Sequence, residues 1–78
     1  MAHHALEPGK SLDLHQGDRD EIENNSHHEG DYIIAYNTHP LEVKHTLKSK
    51  HHVGFTVPAG GARIINDGKV ELTVVSPH

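Results

Sequence analysis

Apolar and polar residues alternate along most of the chain from Asp31 onward, which is the pattern of half-buried β-strands. In residues 41–48, for example, Leu41, Val43 and Leu47 fall on one face and charged or polar residues fall on the other. No segment carries apolar residues at helical spacing for two turns. The pattern therefore predicts an all-β protein.

Turn residues divide this pattern into about seven short strands, with Asp67-Gly68 as the clearest hairpin turn. The predicted strands are Ser11–Leu14, Asp20–Asn24, Tyr32–Asn37, Leu41–Lys48, His52–Val57, Ala62–Asn66 and Lys69–Val75. The strand over 32–37 is apolar on both faces and is expected to be buried on both sides. A small antiparallel β-sandwich or jelly-roll-like barrel accommodates strands of this number and length.

Two stretches of the chain repeat one phrase, LHQGDRDEIEN at 14–24 and VPAGGARIIN at 57–66. The matched residues are Leu14, Gly17, Ile22 and Asn24 in the first copy and Val57, Gly60, Ile65 and Asn66 in the second. The second copy is one residue shorter between its Ile and its Asn. Each copy reads as strand, glycine turn, strand and Asn-containing turn, which predicts two related hairpin units.

The length of 78 residues and the apolar fraction of 33% allow one domain with a marginal core. Within it, residues 1–30 are expected to form a polar, acidic arm with one or two short strands, and residues 31–78 the β-rich core. Because there is no cysteine, disulfides and thiolate metal sites are excluded. Stability would then need self-association or a metal bound through histidine.

Acidic residues are concentrated in the first part of the chain. Residues 1–31 hold eight acidic and two basic side chains, whereas residues 32–78 hold three acidic and five basic ones. This asymmetry favours head-to-tail or intertwined self-association, in which the acidic part of one copy meets the basic part of another. A solvated acidic arm beside an ordinary domain is the alternative.

Ten histidines are the one plausible source of chemistry. A cluster of His39, His45 and His52 could bind Zn, Ni or Fe through imidazole nitrogens. The histidines could instead sense pH, since imidazole gains its charge near physiological pH. They could also be ordinary polar surface residues, with His45 as the exception because alternation places it on the apolar face of its strand.

Other site types find little support in the residue pattern. No serine has the context of a nucleophile elbow, and the carboxylates Asp18, Asp20 and Glu21 are expected to form a solvated strand edge rather than an acid/base pair or a calcium loop. Nucleic-acid binding is disfavoured by the net charge of −4 and the presence of only three aromatic residues. No stretch has the length of a membrane span and residues 1–10 lack the apolar core of a signal peptide, so we expect a soluble protein made in the cytoplasm, with a virion as one destination.

These features predict a structural or interaction protein rather than an enzyme. The specific prediction is a homo-oligomer, most simply a trimer, that docks on a larger protein scaffold as capsid cement or decoration proteins of viruses do. A histidine-rich, cupin-like metal-binding domain and a small regulatory binder or inhibitor are the alternatives. The predicted interface residues are Tyr32, Ile34, Tyr36, His45 and Phe55.

Overall fold

A computed structural model describes all 78 residues and contains eight β-strands and no helix. The strands are β1 (Ala2–Leu6), β2 (Ser11–Leu14), β3 (Arg19–Glu23), β4 (Gly30–Tyr36), β5 (Glu42–Leu47), β6 (His52–Thr56), β7 (Ala62–Asn66) and β8 (Leu72–Ser76). They form two antiparallel sheets of four strands each, so the all-β prediction is confirmed. The prediction of seven strands was one short, because β1 has the sequence AHHAL, in which apolar and polar residues do not alternate.

Each sheet combines strands from both parts of the chain. Sheet one has the order β1-β8-β3-β6 and sheet two has the order β2-β7-β4-β5. Residues 1–30 therefore supply three strands rather than one or two, and these strands are built into both sheets. The acidic and basic parts of the sequence are interleaved in space, so one chain does not present an acidic half and a basic half.

Every strand pair is antiparallel, which sends all odd-numbered strands one way and all even-numbered strands the other. Loops 7–10, 24–29, 48–51 and 67–71 consequently lie at one end of the two sheets. Loops 15–18, 37–41 and 57–61 lie at the other end with the first and last residues. We call the first the asparagine end, because Asn24 and Asn66 lie there, and the second the recess end, because a recess opens there.

The hydrophobic core lies between the two sheets, because one buried cluster draws side chains from both. The alternation of each strand sends one set of side chains inward, as with Ile22 on β3 and Ile64 on β7. On β4 the outward-facing Ile33 and Ala35 are half-buried, so this strand is covered fully on one face only. The cluster consists of Leu6, Leu14, Ile22, Tyr32, Ile34, Leu47, Val57, Ala62, Ile64, Leu72 and Val74.

Asn24 closes the asparagine end of sheet one with a fully buried side chain. Its Oδ1 accepts a hydrogen bond from the main-chain N–H of Ser26 at 3.0 Å. Its Nδ2 donates to the main-chain carbonyls of His28 at 2.8 Å and Leu47 at 2.9 Å. The amide thus binds its own loop and attaches it to an edge strand of the opposite sheet.

Asn66 repeats this arrangement in sheet two. Its Oδ1 accepts from the main-chain N–H of Gly68 at 3.0 Å. Its Nδ2 donates to the carbonyls of Leu6 and Val70, both at 2.8 Å. For both asparagines, the partners in the loop are the residues two and four positions later in the chain. The third partner is in both cases the last residue of an edge strand, Leu47 of β5 for Asn24 and Leu6 of β1 for Asn66.

The internal repeat seen in the sequence is therefore present in the structure, and its unit is four strands rather than a hairpin. In sheet one β3 lies between β8 and β6, and in sheet two its counterpart β7 lies between β4 and β2. The counterpart of Ile22 is Ile64 and not Ile65, because both are buried two residues before the repeated asparagine. The one-residue difference between the copies accordingly lies before these isoleucines.

Backbone geometry repeats as well. Gly17 and Gly60 both have positive φ, at 84° and 92°, and so do Gly9 at 82° and Lys50 at 63°. The two turns before β2 and β6 close with equivalent hydrogen bonds, from Lys10 N–H to the Glu7 carbonyl and from His51 N–H to the Lys48 carbonyl. No helix capable of crossing a membrane occurs in the chain.

Candidate functional site

The three predicted metal ligands are not brought together within one chain. His39 is exposed in the turn between β4 and β5, His45 lies on β5 at the edge of sheet two, and His52 is exposed on β6 at the edge of sheet one. No three histidine, aspartate or glutamate side chains are placed to hold a metal ion. His45 stacks instead on Tyr32, with ring centroids 5.0 Å apart and planes inclined by 17°.

The predicted interface residues divide between core and partly exposed positions. Tyr32 and Ile34 are only 5% and 1% exposed, so neither is accessible to a partner in the folded chain. Burial also raises the pKa of the Tyr32 phenol above its usual value of 10.0. Tyr36 and Phe55 are half-buried and contact each other across the sheets, with ring centroids 6.4 Å apart.

A different cluster of histidine and aspartate forms at the recess end. Asp20 on β3 points between the sheets, opposite Phe55 on β6, and is only 1% exposed. Its Oδ1 is removed from solvent and has no hydrogen-bond partner. The prediction of a solvated edge is therefore wrong for this carboxylate, because Asp20 shares the inward face of β3 with Ile22.

Three imidazoles surround this buried carboxylate. Nε2 of His78 lies 3.2 Å from Oδ2 of Asp18, a contact that does not have hydrogen-bond geometry and leaves that buried oxygen without a partner. The rings of His15 and His78 meet edge to face at 5.7 Å and 79°. Nε2 of His4 lies 3.4 Å from the main-chain carbonyl oxygen of His78.

These side chains line a recess of about 110 Å³. Its walls are formed by His4, Leu12, Asp13, Leu14, His15, Asp20, Ser76 and His78. A groove adjoins it and shares Asp13, Leu14 and His15 with it, while Gln16, Asn37, Gly60, Gly61 and Arg63 form the remainder of the groove. Because Arg63 Nε bonds Asp13 Oδ1 at 3.1 Å, the basic side chain of the groove is already paired.

The electrostatics of the recess centre on Asp20. Burial raises its pKa above the ordinary value of 3.8, and the neighbouring Asp18 carboxylate raises it further. His15, His4 and His78 act in the opposite direction. The Asp20 carboxylate can accept hydrogen bonds, and no group of this chain donates one to its Oδ1.

The sequence contained part of the signal for this site. Strict alternation around Ile22 places Asp20 and Asn24 on the buried face of β3, so both polar residues could have been identified as buried. The meeting of His4 with His78 could not, because 74 residues separate them and only the pairing of β1 with β8 joins them.

Comparison of the chain with protein-family models, curated proteins and solved structures finds no match.

Proposed function

We propose that this chain is a structural interaction protein that self-associates within a larger assembly, and that its fold is a jelly roll. The strand pairs β1·β8, β2·β7, β3·β6 and β4·β5 support the fold assignment. They are the pairs of one long hairpin folded over on itself into two four-stranded sheets. Jelly rolls are common in viral capsid proteins, lectins and cupins.

The observation that carries the proposal is the composition of the sheet edges. In sheet one both edge strands, β1 and β6, lack Asp, Glu, Lys, Arg and Pro. In sheet two the edge strand β2 carries Asp13, and β5 carries Glu42 and Lys44. Charges and prolines on an edge strand are the usual protection against pairing with another chain, so only sheet one has unprotected edges.

β6 is the more accessible of these two edges. It pairs only with β3, and none of its five residues is fully buried. Val53, the second of its five residues, is 37% exposed. A strand of a second copy that pairs with β6 would continue sheet one and cover Val53, adding apolar burial to a core that is small for an isolated domain.

The form of assembly that we propose is a homo-oligomer, most simply a trimer, that binds a larger protein scaffold. A cement or decoration protein of a virus shell has these properties, and it would be made in the cytoplasm and reach the virion without acting as an enzyme. The two uncharged edges of sheet one and the jelly-roll strand pairs support this form.

Sedimentation equilibrium of the wild type, Val53→Lys and Val53→Thr at pH 7.5 tests the proposal. A lysine on the edge strand should oppose pairing and give a monomer, whereas threonine replaces a methyl group by a hydroxyl of similar size without adding charge and should keep the oligomer. A monomeric wild type, an oligomeric Val53→Lys, or equal dissociation of both variants would contradict edge pairing.

The same experiment at pH 5.5 and with a chelator addresses the histidines of the edges. His3, His4 and His52 lie on the two uncharged edge strands, so loss of the oligomer at pH 5.5 alone would implicate histidine in the contact between copies. Loss of the oligomer with chelator alone would instead support a metal, such as Zn, Ni or Fe, shared between copies.

A further inference from the structure

The recess contains a buried carboxylate that lacks a hydrogen-bond partner. Oδ1 of Asp20 and Oδ2 of Asp18 are both removed from solvent and lack hydrogen-bond partners. Burial of a carboxylate without a donor or a counter-charge is strongly unfavourable, and a chain with a small core has little stability to spare. A buried carboxylate that destabilises the free protein is typical of a binding site, where a ligand supplies the missing hydrogen-bond donor.

We infer that this recess binds the guanidinium group of an arginine side chain presented by a partner protein. The guanidinium would place its N–H donors against the carboxylate of Asp20 and one flat face against the imidazole of His15. This site lies at the recess end of the molecule and is independent of the proposed pairing through β6.

The chemistry of the walls selects among ligands. An anion would be repelled by Asp13 and Asp20, and no three side chains have the placement that a metal ion needs. A guanidinium is weakly hydrated, stacks on aromatic rings and presents donors in a fixed plane, which suits a partly apolar recess lined by imidazoles. An ammonium ion is more strongly hydrated and lacks flat faces, so it should bind less well.

The adjoining groove indicates that the guanidinium belongs to a peptide segment. The groove and the recess share His15, so a chain lying in the groove could direct a side chain into the recess. Paired Arg63 leaves the groove without a free positive charge against such a segment.

An NMR titration of the ¹⁵N-labelled full chain tests the inference, with methylguanidinium, methylammonium and methylurea as probes. Methylguanidinium should give saturable shift changes in the amides of His15, Asp20 and Ser76. Methylammonium should bind at least tenfold more weakly, and methylurea, which has a similar shape without charge, should cause no saturable change. Equal binding of all three probes, or no saturation with methylguanidinium, would overturn the inference.

Two variants of β3 provide the matched comparison. Asp20→Asn should weaken methylguanidinium binding at least tenfold, while Glu21→Gln removes a carboxylate from the outer face of the same strand and should leave it unchanged. Unchanged binding by Asp20→Asn would contradict the site. If that variant does not fold, the three-probe comparison on the wild type still decides the question.

The partner-protein source is tested with short peptides. Gly-Arg-Gly should bind at least tenfold more tightly than methylguanidinium because its main chain adds contacts in the groove, and Gly-citrulline-Gly should not bind. Equal affinity for Gly-Arg-Gly and methylguanidinium would show that the recess takes a free guanidinium compound and not an arginine of a partner.

Discussion

The two ends of the molecule bury polar side chains in opposite ways. At the asparagine end, Asn24 and Asn66 use their donors and acceptors on main-chain groups of loops and edge strands. At the recess end, Asp20 is buried to the same extent but its Oδ1 has no partner. All three residues occupy inward positions near the end of a central strand.

The comparison shows two uses of a buried polar group, one that stabilises the fold and one that serves to bind a ligand. A buried amide that satisfies several main-chain groups fixes loop geometry and contributes to the free energy of unfolding. A buried carboxylate without partners lowers that free energy, and it gains a partner only when a ligand arrives. We therefore expect substitutions at the two ends to change stability with opposite signs.

The largest effect is expected at the asparagine end. Asn24→Ala and Asn66→Ala should each lower the free energy of unfolding by about 3 kcal/mol, because each leaves buried main-chain groups unsatisfied. Urea denaturation followed by circular dichroism measures this loss. The repeat further predicts that the two losses agree to within about 1 kcal/mol.

Asn25→Ala serves as the control for the first pair, because Asn25 is adjacent and exposed. It should change the free energy of unfolding by less than about 0.5 kcal/mol. A loss for Asn24→Ala no greater than this would remove the structural role assigned to the buried amides.

At the recess end the sign should reverse. Asp20→Asn should raise the free energy of unfolding at pH 7 by roughly 1 kcal/mol, because it removes a buried charge and provides an amide donor for Asp18. Chemical denaturation of the two proteins in parallel provides the measurement. A less stable Asp20→Asn would mean that the carboxylate already has a favourable partner in the folded chain.

The advantage of Asp20→Asn should depend on pH. The folded-state pKa of Asp20 is raised above 3.8, so the folded state binds the proton more tightly than the unfolded state and the cost of the charge is removed as pH falls. The difference in free energy of unfolding between Asp20→Asn and the wild type should shrink from pH 7 towards 3.8. A difference that stays constant or widens over this range contradicts a raised pKa.

The last prediction concerns the two turns whose main chains are hydrogen-bonded to the main chains of Asn66 and Asn24. Gly9 and Lys50 occupy equivalent positions with positive φ, a conformation that disfavours a side chain. Gly9→Ala should destabilise the protein by about 1 kcal/mol although its Cβ would meet no atom, and Lys50→Gly should stabilise it by a few tenths of that amount. Thermal unfolding of both variants should give midpoint shifts of opposite sign.

The fold was largely predictable from the alternation of apolar and polar residues. Strands such as β4 and β7 follow from short runs rich in Ile between turn residues, and the repeated glycines and asparagines mark turns that recur in both halves. β1 was missed because the stretch AHHAL contains two histidines, whose burial depends on what they pack against. The pairing of the strands could not be predicted, since several registers bury the same residues.

The candidate site was less predictable than the fold. Local alternation identifies Asp20 as buried once Ile22 is taken as core, but His4, His15 and His78 come together only through long-range strand pairing. The sequence-based metal ligands His39, His45 and His52 were chosen by spacing along the chain, and the structure distributes them over two sheets and a turn. Proximity in sequence was a poor guide because each sheet alternates early and late strands.

The most direct test of this account is an NMR titration of the Asp20 side-chain carboxyl, observed through its ¹³Cγ shift with and without methylguanidinium. We predict a pKa above 3.8 in the free protein, because burial and Asp18 disfavour the charged form, and a lower pKa with the cation bound. A pKa at or below 3.8 in the free protein would show that Asp20 is already satisfied and would contradict the assignment of the recess as a site awaiting a ligand.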